Sequence, residues 1–178
     1  MATLYLNPEG ILCPRLPVLY ADDAQVLSAN AALFDGVLEA FPSTRIVLHS
    51  WLVYEIGYHQ AVGMLSPIVR ERIIGATVPG NRICPFRRSS KPTRREWLRA
   101  DLKRRQPQYP VLLDTDARQV LPALLEYNLI ICEWATTLLA DDAAALCELL
   151  QEAGRTDVPS LPMKALTGQE DCSNFFFH

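Results

Sequence analysis

The chain has 178 residues, of which 49% are hydrophobic and 21% charged, and this composition predicts one globular domain with a sizeable core. Its apolar runs fall short of the ~20 residues that a membrane-spanning helix needs, and a strand pattern begins at Thr3, so we expect neither a membrane segment nor a signal peptide. Five scattered cysteines without a Cys-x-x-Cys pair argue against a disulfide framework or a zinc site and favour a cytoplasmic protein.

Short apolar runs alternate with helical patterns along the chain, which is typical of a parallel sheet with helices on both faces. The predicted strands cover residues 3–6, 45–48, 72–75, 110–113 and 129–132. The predicted helices cover residues 21–41, 54–65, 93–105, 118–127 and 140–154. We therefore predict a three-layer α/β/α, Rossmann-like domain over residues 1–154, with a mainly parallel five-stranded sheet.

Two segments fall outside this alternation. Residues 76–92 are rich in Pro, Gly, Ser and Arg and form the one candidate lid, because no insertion is long enough for a cap domain. Residues 155–178 form a tail that ends in three consecutive phenylalanines. We expect the tail either to be disordered or to dock on the domain or on a second copy of the chain, since such a patch is unfavourable in water.

The charge is unevenly distributed. Residues 82–105 contain ten basic and two acidic residues, a local charge of +8 in a chain of net charge -3. Such asymmetry is consistent with a phosphate-rich partner such as RNA, but basic stretches of this kind are common and are more often a solvated loop and helix face. Aromatic residues are not regularly interleaved with the basic ones, so base stacking is not strongly indicated.

Polar side chains follow three of the predicted strands. They are Asn7 and Glu9 after the first strand, His49 and Ser50 after the second, and Asp114 and Asp116 after the fourth. Because the carboxyl ends of parallel strands lie at one edge of the sheet, we expect these groups to converge. Oxygen ligands from different strands can hold Mg²⁺, while a hydroxyl and a basic side chain can bind phosphate.

The order of these parts resembles the haloacid dehalogenase (HAD) superfamily of phosphotransferases. In that family D-x-D-G follows strand one, a Ser or Thr ends strand two, a Lys or Arg forms the third motif, and an acidic pair ends strand four. Within the superfamily the chain is most similar to the HAD domain of bacterial "Swiss army knife" RNA-repair proteins. The matching stretches are residues 4–12, 46–51, 74–77, 94–98 and 112–116.

The resemblance implies a role for each candidate residue. Asn7 takes the place of the aspartate that attacks phosphorus, and Glu9 that of the general acid. The implied metal ligands, for a weakened Mg²⁺ site, are Asn7, Glu9, Asp114 and Asp116. The implied catalytic and phosphate-binding groups are Ser50 together with a third-motif base, for which Lys91, Arg94 and Arg95 all remain open. Either His49 or Ser50 fills the second motif.

The first motif is the main departure from the family. A carboxamide at Asn7 is a far poorer nucleophile than a carboxylate, and it removes one negative charge from the metal site. We therefore expect a HAD-like protein with impaired or lost aspartyl-phosphate chemistry that binds a phosphorylated small molecule or RNA. The alternative is an active Mg²⁺-dependent phosphatase with altered chemistry that uses Glu9.

Overall fold

The computed structural model describes residues 1–13, 21–78, 93–117, 121, 129–131, 138 and 140–155. The candidate lid after residue 78, Lys91, all but one residue of the helix predicted over residues 118–127, and the tail beyond residue 155 lie outside the described residues. Among the described helices, none combines the length and apolar character needed to cross a bilayer.

A parallel sheet forms the centre of the fold. Its strands are β1 (Ala2–Leu6), β2 (Arg45–Leu48), β3 (Ile73–Ala76), β4 (Tyr109–Asp114) and β5 (Leu129–Ile131). They lie in the order β3-β2-β1-β4-β5, and every neighbouring pair is parallel. The predicted mixed α/β class and parallel sheet are confirmed. The central position of β1 brings both β2 and β4 beside it.

Six helices lie in the part of the chain that the structure describes. They are α1 (Ala21–Ala40), α2 (Trp51–Glu55), α3 (Tyr58–Gly63), α4 (Pro67–Arg72), α5 (Arg94–Arg105) and α6 (Ala140–Glu152). The prediction of one helix over residues 54–65 is wrong, because Gly57 has a φ of 92° and separates α2 from α3. A left-handed φ of this kind cannot continue an α-helix, and glycine adopts it without steric cost.

Alternate residues of the strands face opposite sides of the sheet. Leu4 and Leu6 pack in a large core with residues of α1, α4 and α6, whereas Tyr5 packs in a second core with Leu98 and Leu102 of α5. Helices therefore cover both faces. Each fully buried leucine contributes roughly 1.5–3 kcal/mol of hydrophobic stabilisation, which holds α5 firmly on its face.

The start of α5 is fixed by a capping box. The Thr93 hydroxyl accepts a hydrogen bond from the Glu96 backbone N–H at 3.2 Å, and the Glu96 carboxylate accepts one from the Thr93 backbone N–H at 2.7 Å. This confirms the helix start expected from the spacing of these two residues. Arg94 is consequently the first residue of the helix, next to the sheet edge.

Candidate functional site

Strand register places four polar residues in one row at the carboxyl edge of the sheet. Leu6 of β1 pairs with Leu48 of β2 and with Leu113 of β4, so the next residues, Asn7, His49 and Asp114, are neighbours. The backbone N–H of Asn7 donates to Leu113 O at 2.9 Å, and that of His49 donates to Leu6 O at 2.8 Å. Thr77 extends the row, because Ala76 pairs with Leu48.

The row faces the side of the sheet that α5 covers. Tyr5 and Leu112 contact α5, and Asn7 and Asp114 lie two residues further along the same strands, where the side chains project to the same face. This geometry explains how Arg94, at the first position of α5, reaches the end of β4.

Asp114 and Arg94 form a buried ion pair at the centre of the site. Arg94 Nη1 lies 2.9 Å from Asp114 Oδ2, and Nη2 lies 3.2 Å from Oδ1, so the two groups make a bidentate contact. The side chains are 4% and 0% exposed. Arg94 Nη1 also donates to the His49 carbonyl at 3.2 Å. Such a paired, desolvated contact fixes both side chains in place.

The side-chain amide of Asn7 is also hydrogen-bonded to Asp114. Its Nδ2 donates to Asp114 Oδ1 at 3.0 Å and to Thr115 Oγ1 at 3.4 Å, while its Oδ1 accepts from the Glu9 backbone N–H at 3.3 Å. The neighbours therefore determine the orientation of the amide, with a carboxylate on one side and an N–H on the other. An aspartate in the same rotamer would place two carboxylates about 3 Å apart, which is strongly unfavourable without a cation between them.

Glu9 and Ser50 form a second contact at the edge of the site. Ser50 Oγ donates to Glu9 Oε2 at 2.5 Å and accepts from the Leu52 backbone N–H at 3.0 Å as the N-cap of α2. Ser50 is fully buried and Glu9 is half-buried. Gly10, with a φ of +79°, forms the turn that follows Glu9. The Glu9 carboxylate is thus held close to the polar row rather than extended into water.

His49 is fully buried and neutral. Burial, and then the nearby Arg94 guanidinium, lower the pKa of His49 from its ordinary value of 6.5 to about 3. Its Nδ1 hydrogen-bonds with Thr77 Oγ1 at 3.1 Å, and its Nε2 lies 4.0 Å from Asp114 Oδ2, which favours the tautomer with the proton on Nε2. Within the described part of the chain, His49 Nε2 and Arg94 Nε are buried atoms without a hydrogen-bond partner.

An aromatic cluster connects α2 to α5 beside these groups. The Trp51 and Trp97 ring centroids lie 4.7 Å apart in an edge-to-face arrangement, and Tyr54 lies 5.8 Å from Trp97. Trp51 follows Ser50, and Trp97 lies one turn after Arg94. Such ring pairs contribute about 0.5–1.5 kcal/mol beyond their buried area. The cluster therefore helps to fix α2 and α5, and with them Ser50 and Arg94, relative to each other.

The donor set does not fit a bound Mg²⁺ in this arrangement. Mg²⁺ requires oxygen ligands at about 2.0–2.1 Å in near-octahedral geometry. Asp114 Oδ1 already accepts from Asn7, Arg94 and the backbone N–H groups of Thr115 (2.7 Å) and Asp116 (3.1 Å). Asn7 turns its NH₂ group, not its oxygen, toward Asp114. Nor does the described part of the chain contain three His, Cys, Asp or Glu residues grouped to hold a metal.

Most of the residues proposed from sequence come together at this edge. They are Asn7, Glu9, Ser50, Arg94 and Asp114. Asp116 lies beside them, half-buried, and its backbone N–H donates to Asp114. Of the three candidate basic residues, Arg94 contacts Asp114, Arg95 is half-buried in the first turn of α5, and Lys91 lies outside the described residues.

Sequence reasoning expected His49 to converge with Asp114 but missed Thr77, the partner of the imidazole. The signal that could have found Thr77 is its position, since it directly follows an apolar strand in the same row as His49.

A separate cavity of about 240 Å³ lies between α1 and α4. Its lining includes Asp35 and Ser66, and the Ser66 hydroxyl donates to Asp35 Oδ1 at 2.6 Å. Because these two polar groups bond to each other and Ser66 also caps α4, we assign the cavity to helix packing.

No family model, curated protein or solved structure matches the chain. The function is therefore inferred from the chemistry of the residues at the sheet edge and from the order of the motifs.

Proposed function

We propose that the chain is a HAD-like protein of phosphohydrolase ancestry that binds a phosphoryl group at the carboxyl edge of the sheet without phosphatase turnover. The parallel sheet and the convergence of the polar strand ends support the ancestry. The observation that carries the loss of turnover is the Asn7 carboxamide, held between Asp114 Oδ1 and the Glu9 backbone N–H.

The chemistry of the amide explains the loss. Aspartyl-phosphate formation needs a carboxylate oxygen that attacks phosphorus, and an amide oxygen is a weak nucleophile. Asn7 Oδ1 also accepts the Glu9 N–H at 3.3 Å, which draws electron density away from it. Replacing the amide by a carboxylate requires a compensating cation, so a single substitution does not simply recreate the family's site.

Two groups supply donors for a phosphoryl oxygen. Arg94 Nε and His49 Nε2 are buried without an acceptor among the described residues, whereas the Ser50 hydroxyl already donates to Glu9. A buried donor left without an acceptor costs about 1–3 kcal/mol, which an oxygen of a ligand would recover. The ion pair with Arg94 neutralises Asp114, so that carboxylate does not repel an anion.

A phosphorylated small molecule fits this site better than an extended RNA. In the described part of the basic segment, Arg94 binds Asp114, and Arg104 and Arg105 both bind Asp101. These cations are therefore partly neutralised within the fold. If RNA were the ligand, fluorescence anisotropy with a short single-stranded RNA would show affinity that falls steeply with salt. Absent or salt-independent binding would remove RNA from consideration.

The alternative of an active hydrolase depends on Glu9. Its carboxylate is half-buried and receives the Ser50 hydroxyl at 2.5 Å, so an acid-base group is held near the candidate phosphate site. This contact is the specific observation in favour of a reaction with a water nucleophile in place of an aspartate.

A turnover assay separates the two proposals. We expect the native protein to release no phosphate from p-nitrophenyl phosphate with Mg²⁺, and the double variant Asn7→Asp/Glu9→Asp to gain activity. Robust turnover by the native protein that disappears in Glu9→Gln would establish the active hydrolase and contradict our proposal. Asp114→Asn in the same preparation controls for contaminating phosphatases, because activity that it does not change cannot come from this pocket.

A further inference from the structure

The cation at the centre of this buried polar site is a side chain. Arg94 Nη1 and Nη2 contact both oxygens of Asp114 at 2.9 and 3.2 Å, and both side chains are almost completely buried. A guanidinium remains protonated under all ordinary conditions and matches a carboxylate through two parallel hydrogen bonds. The positive charge that faces Asp114 therefore belongs to the protein itself, because Arg94 is the first residue of α5.

The residue at position 7 decides whether this arrangement is neutral. With Asn7, the group of Asn7, Arg94 and Asp114 has one positive and one negative charge, and the amide NH₂ supplies a further donor to Asp114 Oδ1 at 3.0 Å. With an aspartate at position 7, the same group would have an excess negative charge and two adjacent carboxylates. Oxygen ligands of that kind are the ones that Mg²⁺ prefers.

We propose that the Arg94 guanidinium takes the place of the divalent cation that the family resemblance implies at this buried site, and that Asn7 is the substitution that permits the replacement. The native chain then needs no divalent metal for its stability. Changing Asn7 to aspartate creates a requirement for one, and this dependence on residue 7 does not rest on phosphoryl binding.

The test measures thermal unfolding of the full chain in EDTA and in a Mg²⁺ titration, for the native protein, Asn7→Asp and Asp114→Asn. The native Tm stays constant across the titration. Asn7→Asp has a lower Tm in EDTA and regains stability with Mg²⁺. When Mg²⁺ exceeds the Kd of that new site by ~100-fold, the ratio of folded to unfolded protein rises about 100-fold.

Two results would overturn the proposal. One is a saturable rise of the native Tm with Mg²⁺ that Asp114→Asn abolishes. The other is an Asn7→Asp protein whose Tm does not change with the Mg²⁺ concentration. If Asn7→Asp does not fold in EDTA, it is refolded with Mg²⁺, and recovery only with the metal supports the proposal, whereas failure in both conditions contradicts it.

A direct measurement on the native protein complements the unfolding test. Mn²⁺ is used as the probe, and its free electron paramagnetic resonance signal is followed as protein is added. We expect the native protein and Asp114→Asn to take up the same small amount of Mn²⁺, because surface carboxylates are common to both. Stoichiometric uptake by the native protein that is missing in Asp114→Asn would show that the metal enters this pocket, and the proposal would be wrong.

Discussion

Replacing Arg94 by methionine should destabilise the protein far more than replacing an equivalent arginine on the surface of the same helix. Arg94 is 4% exposed at its side chain and Asp114 is 0% exposed, so Arg94→Met leaves a buried carboxylate without its counter-ion. Removing one partner of a buried pair costs about 3–5 kcal/mol. In a chain of this size that corresponds to a Tm loss of about 2–4 °C per kcal/mol.

Arg104 provides the matched control. It also pairs with a buried carboxylate, that of Asp101, but its own side chain is 63% exposed. Asp101 keeps two other donors when Arg104 is removed, since Arg105 Nε lies at 2.8 Å and the Tyr5 hydroxyl at 3.2 Å. Arg104→Ala should therefore cost no more than about 1 kcal/mol, as is usual for exposed pairs.

Urea unfolding followed by circular dichroism measures the unfolding free energy of both variants. A double-mutant cycle then separates the energy of the Arg94–Asp114 interaction from the loss of packing. Because Arg94→Met and Asp114→Asn each remove one side of the pair, the double variant should be less destabilised than the sum of the two single changes. Arg94→Lys keeps the charge but loses the bidentate contact, so its stability should lie between those of the native protein and Arg94→Met. An Arg94→Met protein as stable as Arg104→Ala would refute the buried-pair account.

Three further predictions concern the fold around the site. The unfolded chain binds a proton at His49 near pH 6.5 and the folded chain only near pH 3, so between these values the unfolding free energy should fall by up to about 1.4 kcal/mol for each unit by which the pH is lowered; His49→Gln should lack this slope in urea titrations at pH 7 and pH 5. Gly75→Ala should lower Tm, because Gly75 has a φ of +147° and a Cβ there would lie 2.6 Å from Arg105 Nη2, whereas Gly36→Ala, with open space around it in α1, should raise Tm. Thr93→Ala should cost about 1 kcal/mol in thermal unfolding through loss of the capping box.

Each of these three predictions would be contradicted by a specific result. A pH slope that persists in His49→Gln would assign the acid sensitivity to other groups. A Gly75→Ala protein as stable as Gly36→Ala would show that the backbone at β3 relaxes easily. An unchanged Tm in Thr93→Ala would mean that packing alone sets the start of α5.

The sheet and the start of α5 could be predicted because local patterns determine them. Apolar runs such as Ile46 to Leu48 are buried on both faces of a parallel sheet, and the Thr93–Glu96 spacing marks a helix start whatever the tertiary surroundings. The convergence of Asn7 and Asp114 also followed from sequence, since all strands of a parallel sheet end at one edge.

Other parts of the site depend on contacts between elements that are distant in sequence. Three basic residues were equivalent candidates, and Arg94 reaches Asp114 only because the second core fixes the rotation of α5 on the sheet. The pairing of His49 with Thr77 depends on the register between β2 and β3, which shifts near Ile46. Side-chain partners of this kind are set by tertiary packing and not by local spacing.

The central claim is that the carboxyl edge of the sheet binds a phosphoryl group and does not hydrolyse it. A ³¹P NMR titration of p-nitrophenyl phosphate with the native protein, in the presence of Mg²⁺, measures binding and turnover in one experiment. We predict a saturable change of the ester resonance that is lost in Arg94→Met, without growth of the inorganic phosphate signal. An ester resonance that does not respond to the protein, or an inorganic phosphate signal that grows over many turnovers, would contradict the claim.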